Sequence, residues 1–233
     1  MPSPALYRSP RPSSTAATVL LAVCGTATLA SLAAGFRLYG EAGEFAADSD
    51  LADESALTDA ALLYDNVSLV QTLTLLASAV AFITWFHRVR VNAEVFEPSG
   101  HRFKRGWAIG GWFTPVVALW FPFRITVDTW TASARPDASG VRLPHPQPLV
   151  NLWWATFWLA NATGRFGANY LNSAKYPDDY QTALGWLLAS DVLEVVAAVL
   201  AVLVVQRLTA MQEERFAEST AHAYAVRGGT VRG

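Results

Sequence analysis

Asp191 and Glu194 stand three residues apart inside "TALGWLLASDVLEVVAAVLAVLVV", residues 182–205, the only long apolar run with acids well inside it. On a helix that spacing puts both carboxyls on one face, which continues through Ala198 and Ala201. An acid at the centre of a membrane helix costs about 2.5–3.5 kcal/mol on insertion scales, so this face belongs inside a bundle and marks a functional site by default. Two adjacent carboxyls repel, so the pair holds a proton unless a base lies near, and the chemistry open to it is proton transfer. Arg165 is the candidate base. A structural alternative stands beside this reading. D-x-x-E is also the form of a capping box, which would start the helix near residue 191 and leave a remaining span of about 15 residues, short for a bilayer.

Other polar residues are weaker candidates. Arg124 and Asp128 are spaced for a helical salt bridge one turn apart, and an arginine beside a cavity could bind an anionic group. Gln71, Asn151 and Asn161 fall inside apolar runs, where interhelical hydrogen bonds are worth about 1 kcal/mol each; they would line a polar cavity only by converging with Asp191. Of the four histidines, 87, 101, 145 and 222, His87 alone is placed to face a cavity. They form no helical H-x-x-x-H or E-x-x-H pair, so no metal and no cofactor is expected. No Gly-rich phosphate loop, nucleophile elbow or Ser/His/Asp arrangement is legible.

The elements that would hold these residues are membrane helices. Of 233 residues 52% are hydrophobic and only 15% charged, against about a quarter charged in soluble domains. The net charge of −2 hides strong segregation, and no basic face with interleaved aromatics suggests nucleic acid. The lone cysteine, Cys24, excludes an intramolecular disulfide. It follows "LLAV", and Val23 is a poor match to a lipoprotein signal. The uncharged run from Ala16 to Phe36 exceeds a secretory signal core and reads as a retained helix.

Residues 1–15, rich in Pro and Ser with Arg8 and Arg11, read as a disordered cytoplasmic tail. Helices are expected at about 16–38, 67–88, 149–165 and 182–206, with 209–233 a cytoplasmic C-terminal tail that is helical at first. In the first helix Ala22, Thr26, Ala30 and Ala34 make a small-residue stripe suited to close helix contact. Between Arg37 and Asn66 lie eight acids and no base, a solvated connector. The second helix ends at Trp85, Phe86, Arg88 and Arg90, a cytoplasmic boundary. The fourth run, residues 149–164, is short, about 24 Å at 1.5 Å per residue. Its Trp153, Trp154 and Trp158 read as lipid-facing anchors or core.

The third run, "GWFTPVVALWFPF" at 111–123, carries Pro115 and Pro122. Each removes an amide donor and disturbs the helix one turn earlier. With five crossings, basic residues divide nine inside to eight outside; if residues 107–130 enter and return instead, they divide fourteen to three. The positive-inside rule prefers the second. The expected fold is therefore all-α and polytopic, with four transmembrane helices, a proline-broken re-entrant or interfacial hairpin and both termini cytoplasmic. The alternative is five transmembrane helices.

"GWFTPVVALWFPFRITVDTW", after "FITWFHRVRVNAEVF" and before "LVNLWWATFWLAN" and "VVQRLTAMQEER", resembles domain-of-unknown-function family 4328 over roughly residues 60–215. The residues that carry the resemblance are Trp112, Phe113, Pro115 and Pro122, with Asp128 and Trp130 beyond. It implies an actinobacterial multi-pass protein of the plasma membrane with no established chemistry. Relatives of such small membrane proteins occur in secondary-metabolite pathways, including steps that join two nitrogens.

Three functions are carried forward. The favoured one is a scaffold or accessory module working through a membrane or cytoplasmic protein partner. The second is a membrane-embedded tailoring enzyme on a small-molecule ligand, an amphipathic metabolite. Asp191 and Glu194 would transfer protons, and Trp112, Pro115, Trp120 and Pro122 would close the pocket. The third is a small proton- or cation-coupled permeation unit. The lipid bilayer is a partner in all three.

Overall fold

The computed structural model describes residues 6–48, 50, 52–135 and 147–230, the last nine of them by backbone alone. The described residues are helical, with no strand among them. Four long helices are α1 (Arg11–Ala47), α2 (Glu54–Phe96), α5 (Pro148–Ser173) and α6 (Pro177–Thr230); between α2 and α5 come the short α3 (Trp107–Phe113) and α4 (Phe121–Ser133). Three of them, α1, α2 and α6, are long and apolar enough to cross a membrane. At 26 residues, about 39 Å, α5 is longer than its apolar core suggests, and Asn151, Asn161 and Arg165 interrupt it.

The helices overrun the expected boundaries because polar residues start them. Asp53 caps α2 by accepting the amides of Ser55 at 2.9 Å and Ala56 at 3.3 Å. Pro177 opens α6 where its missing amide costs nothing, and Asp178 and Asp179 favour the positive helix end. The expected tail of residues 1–15 is described from residue 6 onward. Helix α1 already begins at Arg11, and before it Tyr7 stacks on Phe216 at 3.9 Å and donates to Glu213. Burial first, and that hydrogen bond second, raise the Tyr7 phenol pKa above its ordinary value. Helix α6 runs on to Thr230, into the segment expected as a C-terminal tail that is helical at first.

The chain forms two compact units. One contains residues 1–18, 80–150 and 203–233, the other 19–79 and 151–202. The first is organised around Gln212, which is fully buried. Its amide donates to Val89 O at 2.8 Å and Ser133 Oγ at 3.1 Å, and it accepts from Asn92 at 3.2 Å. Asn92 in turn binds the backbone of Arg8. Trp85 donates to Thr209, and the Arg215 guanidinium binds the Ala134 and Ala132 carbonyls that end α4.

Both prolines of the third run lie in this unit, in α3–α4. Thr114 turns extended before Pro115, as residues preceding proline must. Val116 has φ 65° and ψ −52°, and the Val117 amide donates to Pro115 O at 2.7 Å. This is a γ-turn of the rare, strained hand. A single 3-10 turn follows at Val117–Leu119, and Pro122 then falls in the first turn of α4, where no donor is needed. Gly111 lets α3 approach α4, because a Cβ there would meet Phe121 at 3.3 Å. Neither helix approaches spanning length: α3 has 7 residues and α4 has 13.

The second unit packs Leu38 and Ala42 of α1 against Ala60 of α2 and Leu184 of α6. Its close contact between α5 and α6 is set by Gly167, whose added Cβ would lie 3.0 Å from Trp186 Cβ. The small-residue stripe of α1 divides: Ala34 is buried, whereas Ala22, Thr26 and Ala30 are exposed along a groove that Val70 and Thr74 of α2 also line, and Cys24, Thr28 and Ser31 face inward.

Candidate functional site

Helix α6 is continuous from Pro177, so Asp191 and Glu194 lie well inside it and the capping-box alternative is overturned. The inward polar stripe of α1, together with Gln71 of α2, meets these acids within the second unit. The Gln71 amide nitrogen lies 3.0 Å from Asp191 Oδ1, 3.0 Å from Glu194 Oε2 and 3.4 Å from Thr28 Oγ1. Cys24 Sγ lies 3.9 Å from Glu194 Oε1. Thr28 returns its own proton to Cys24 O, a bond that keeps its oxygen aimed at Gln71. Asp191 is 8% exposed, and its Oδ2 is buried with no hydrogen-bond partner.

One amide therefore bridges two carboxyls, and one carboxyl oxygen retains unused acceptor capacity. No described ion pair includes either acid. The arrangement can hold a proton on the pair, pass it between carboxyls that share a donor, or accept one at Asp191 Oδ2.

The expected partners divide. Gln71 converges with Asp191 as the cavity condition required. Arg165 does not: it is exposed on α5 and forms no described ion pair. Asn151 is exposed, and Asn161 donates to Phe157 O within its own helix, relieving its amide locally. His87 belongs to the first unit, among Arg88, Arg90 and Arg105. Cys24 and Thr28 were missed as site residues. Their signal was present, since Cys24, Thr28 and Ser31 are polar or thiol groups at helical spacing within an apolar run.

The remaining candidates build the first unit instead. Asp128 does not bridge to Arg124, which is exposed. It accepts the Arg102 backbone amide at 3.3 Å and pairs with its guanidinium at 3.6 Å. Trp112 packs edge-on against Phe82 and Phe86, with ring centroids 5.8 and 6.0 Å apart. Pro115 and Trp120 are exposed and Pro122 is buried. Beside them a charge cluster fixes the loop after α2. Arg90, 2% exposed, binds Glu94 at 2.9 Å and Phe103 O at 2.6 Å, and Glu94 also takes Arg105. In that loop burial, and then Arg90, hold the His101 imidazole below its ordinary pKa. Among the described residues no group of three or more His, Cys, Asp or Glu side chains could hold a metal ion.

A family model described as a domain of unknown function, DUF4328, matches residues 48–210. Comparison with curated proteins and with solved structures finds no match.

Proposed function

We propose, from the premise that this chain belongs to the DUF4328 family of domains of unknown function, that it is a bacterial plasma-membrane protein whose Asp191–Glu194 pair exchanges a proton with a small amphipathic molecule. The reaction class is proton transfer in a membrane-embedded tailoring step. The observation that carries the reading is the shared Gln71 donor at 3.0 Å from both carboxyls, with Asp191 Oδ2 left unpartnered. A scaffold needs no such pair, and two acids that form no ion pair among the described residues are costly to keep in an apolar bundle unless they act.

Infrared difference spectra of the full chain in nanodiscs, taken between acidic and alkaline pH, test this. A protonated-carboxyl band that changes with pH and is lost in Asp191→Asn or Glu194→Gln is the expected result. Spectra unchanged in both variants would remove the acids from the mechanism.

The same reading places four crossings in the membrane, with a proline-broken hairpin and both termini cytoplasmic. Its support is the fourteen-to-three division of basic residues. A further support is that Trp107–Ser133 falls in the same unit as both ends of the described chain. A fluorescent protein that matures only in the cytoplasm, fused to the C-terminus, is expected to be bright. Activity of alkaline phosphatase fused there instead would mean five crossings.

A further inference from the structure

The second unit contains a cavity of about 510 Å³, within the range of about 300–1,000 Å³ that small-molecule sites occupy. Its walls come from all four long helices. Leu38, Leu57, Leu171 and Leu184 supply an apolar floor, and Tyr64, Tyr176 and Tyr180 supply aromatic faces. Two charged residues line it, Asp65 and Lys175. The Lys175 backbone amide already donates to Asp179 Oδ2, so this lysine stands at a turn that also carries Asp178 and Asp179. Seven acids precede Asp65 in residues 41–64, with no base among them.

We propose that this cavity binds an amphipathic amine, with its alkyl or aryl body on the leucines and its ammonium at Asp65 among the tyrosine faces. Two features select that class. The leucine floor takes an apolar body, which a free inorganic cation lacks. Tyrosine faces attract an ammonium through the ring quadrupole and offer nothing comparable to a carboxylate. The site does not depend on the role of the acids in α6.

Binding of dodecylamine, dodecanol and sodium dodecanoate to the full chain in zwitterionic nanodiscs, with empty nanodiscs subtracted, tests the assignment. Saturable binding of the amine at least tenfold tighter than the alcohol, and weaker binding of the carboxylate, is expected. Asp65→Asn, an exposed position, should bring the amine to the alcohol's affinity and leave the alcohol unchanged. Leu57→Trp should fill the cavity and abolish both. Equal affinities for amine and alcohol would make the cavity an acyl-chain pocket and overturn the proposal. So would dodecanoate binding as tightly as the amine, an amine preference that survives Asp65→Asn, or no saturable binding.

Discussion

Replacing Asp191 and Glu194 together by leucine is expected to raise the thermal unfolding midpoint of the purified protein while erasing the pH-dependent carboxyl band. An acid at the centre of a membrane helix costs about 2.5–3.5 kcal/mol, and an interhelical hydrogen bond returns about 1 kcal/mol. Each acid is thus a net liability that its bond to Gln71 only partly offsets. The variant leaves Gln71 with Thr28 as its remaining acceptor, at 3.4 Å, so the donor is not stranded. Unfolding of the detergent-solubilised protein, followed by tryptophan emission, reads the effect. A fall of several degrees would show that the pair is there for architecture, and the proton-transfer reading would lose its main support.

Glu94→Ala is expected to do the opposite in the first unit, lowering stability by about 3–5 kcal/mol, as removal of one partner of a buried ion pair does. Arg90 is almost wholly buried and has its charge met by Glu94, while Phe103 O takes one more of its donors. Removing the carboxylate also removes the ion pair by which Glu94 of α2 holds Arg105 of the following loop. Paired replacement by apolar residues, Arg90→Met with Glu94→Leu, should recover most of the loss, because the penalty belongs to the stranded charge. Denaturant titration of the two variants against the parent decides it. A loss below about 1 kcal/mol for Glu94→Ala would class the pair with surface ion pairs.

How much of this was legible in the sequence follows from what helical spacing encodes. Positions three apart fixed Asp191 and Glu194 on one face, and two prolines correctly signalled a break. Spacing does not encode the rotation of one helix against its neighbour. That is why spacing alone does not show that Cys24 and Thr28 turn inward, or that Gln71 and not Arg165 reaches the acids. The Arg124–Asp128 pairing failed for a related reason. A one-turn spacing permits a bridge, but Arg102, 26 residues away in the loop, offers both an amide and a guanidinium to the same carboxyl. The capping-box alternative arose from the same D-x-x-E that makes the site. Pro177 with Asp178 and Asp179 is the stronger helix start, and it lay fourteen residues earlier in plain view.

The Gln212 hub carries a consequence for biosynthesis. Asn92 and Trp85 are made long before the residues of α6 that receive their hydrogen bonds. During translation Asn92 can therefore bind the Arg8 backbone at once, whereas the Trp85 indole and the second Asn92 contact wait until Thr209 and Gln212 of α6 have been made. A ribosome that stops before Gln212 releases a chain in which Asn92, Val89 O and Ser133 have lost a shared partner. Docking of α6 therefore joins three elements through one side chain, and the Arg8 and Thr129 carbonyls hold Asn92 and Ser133 until it arrives.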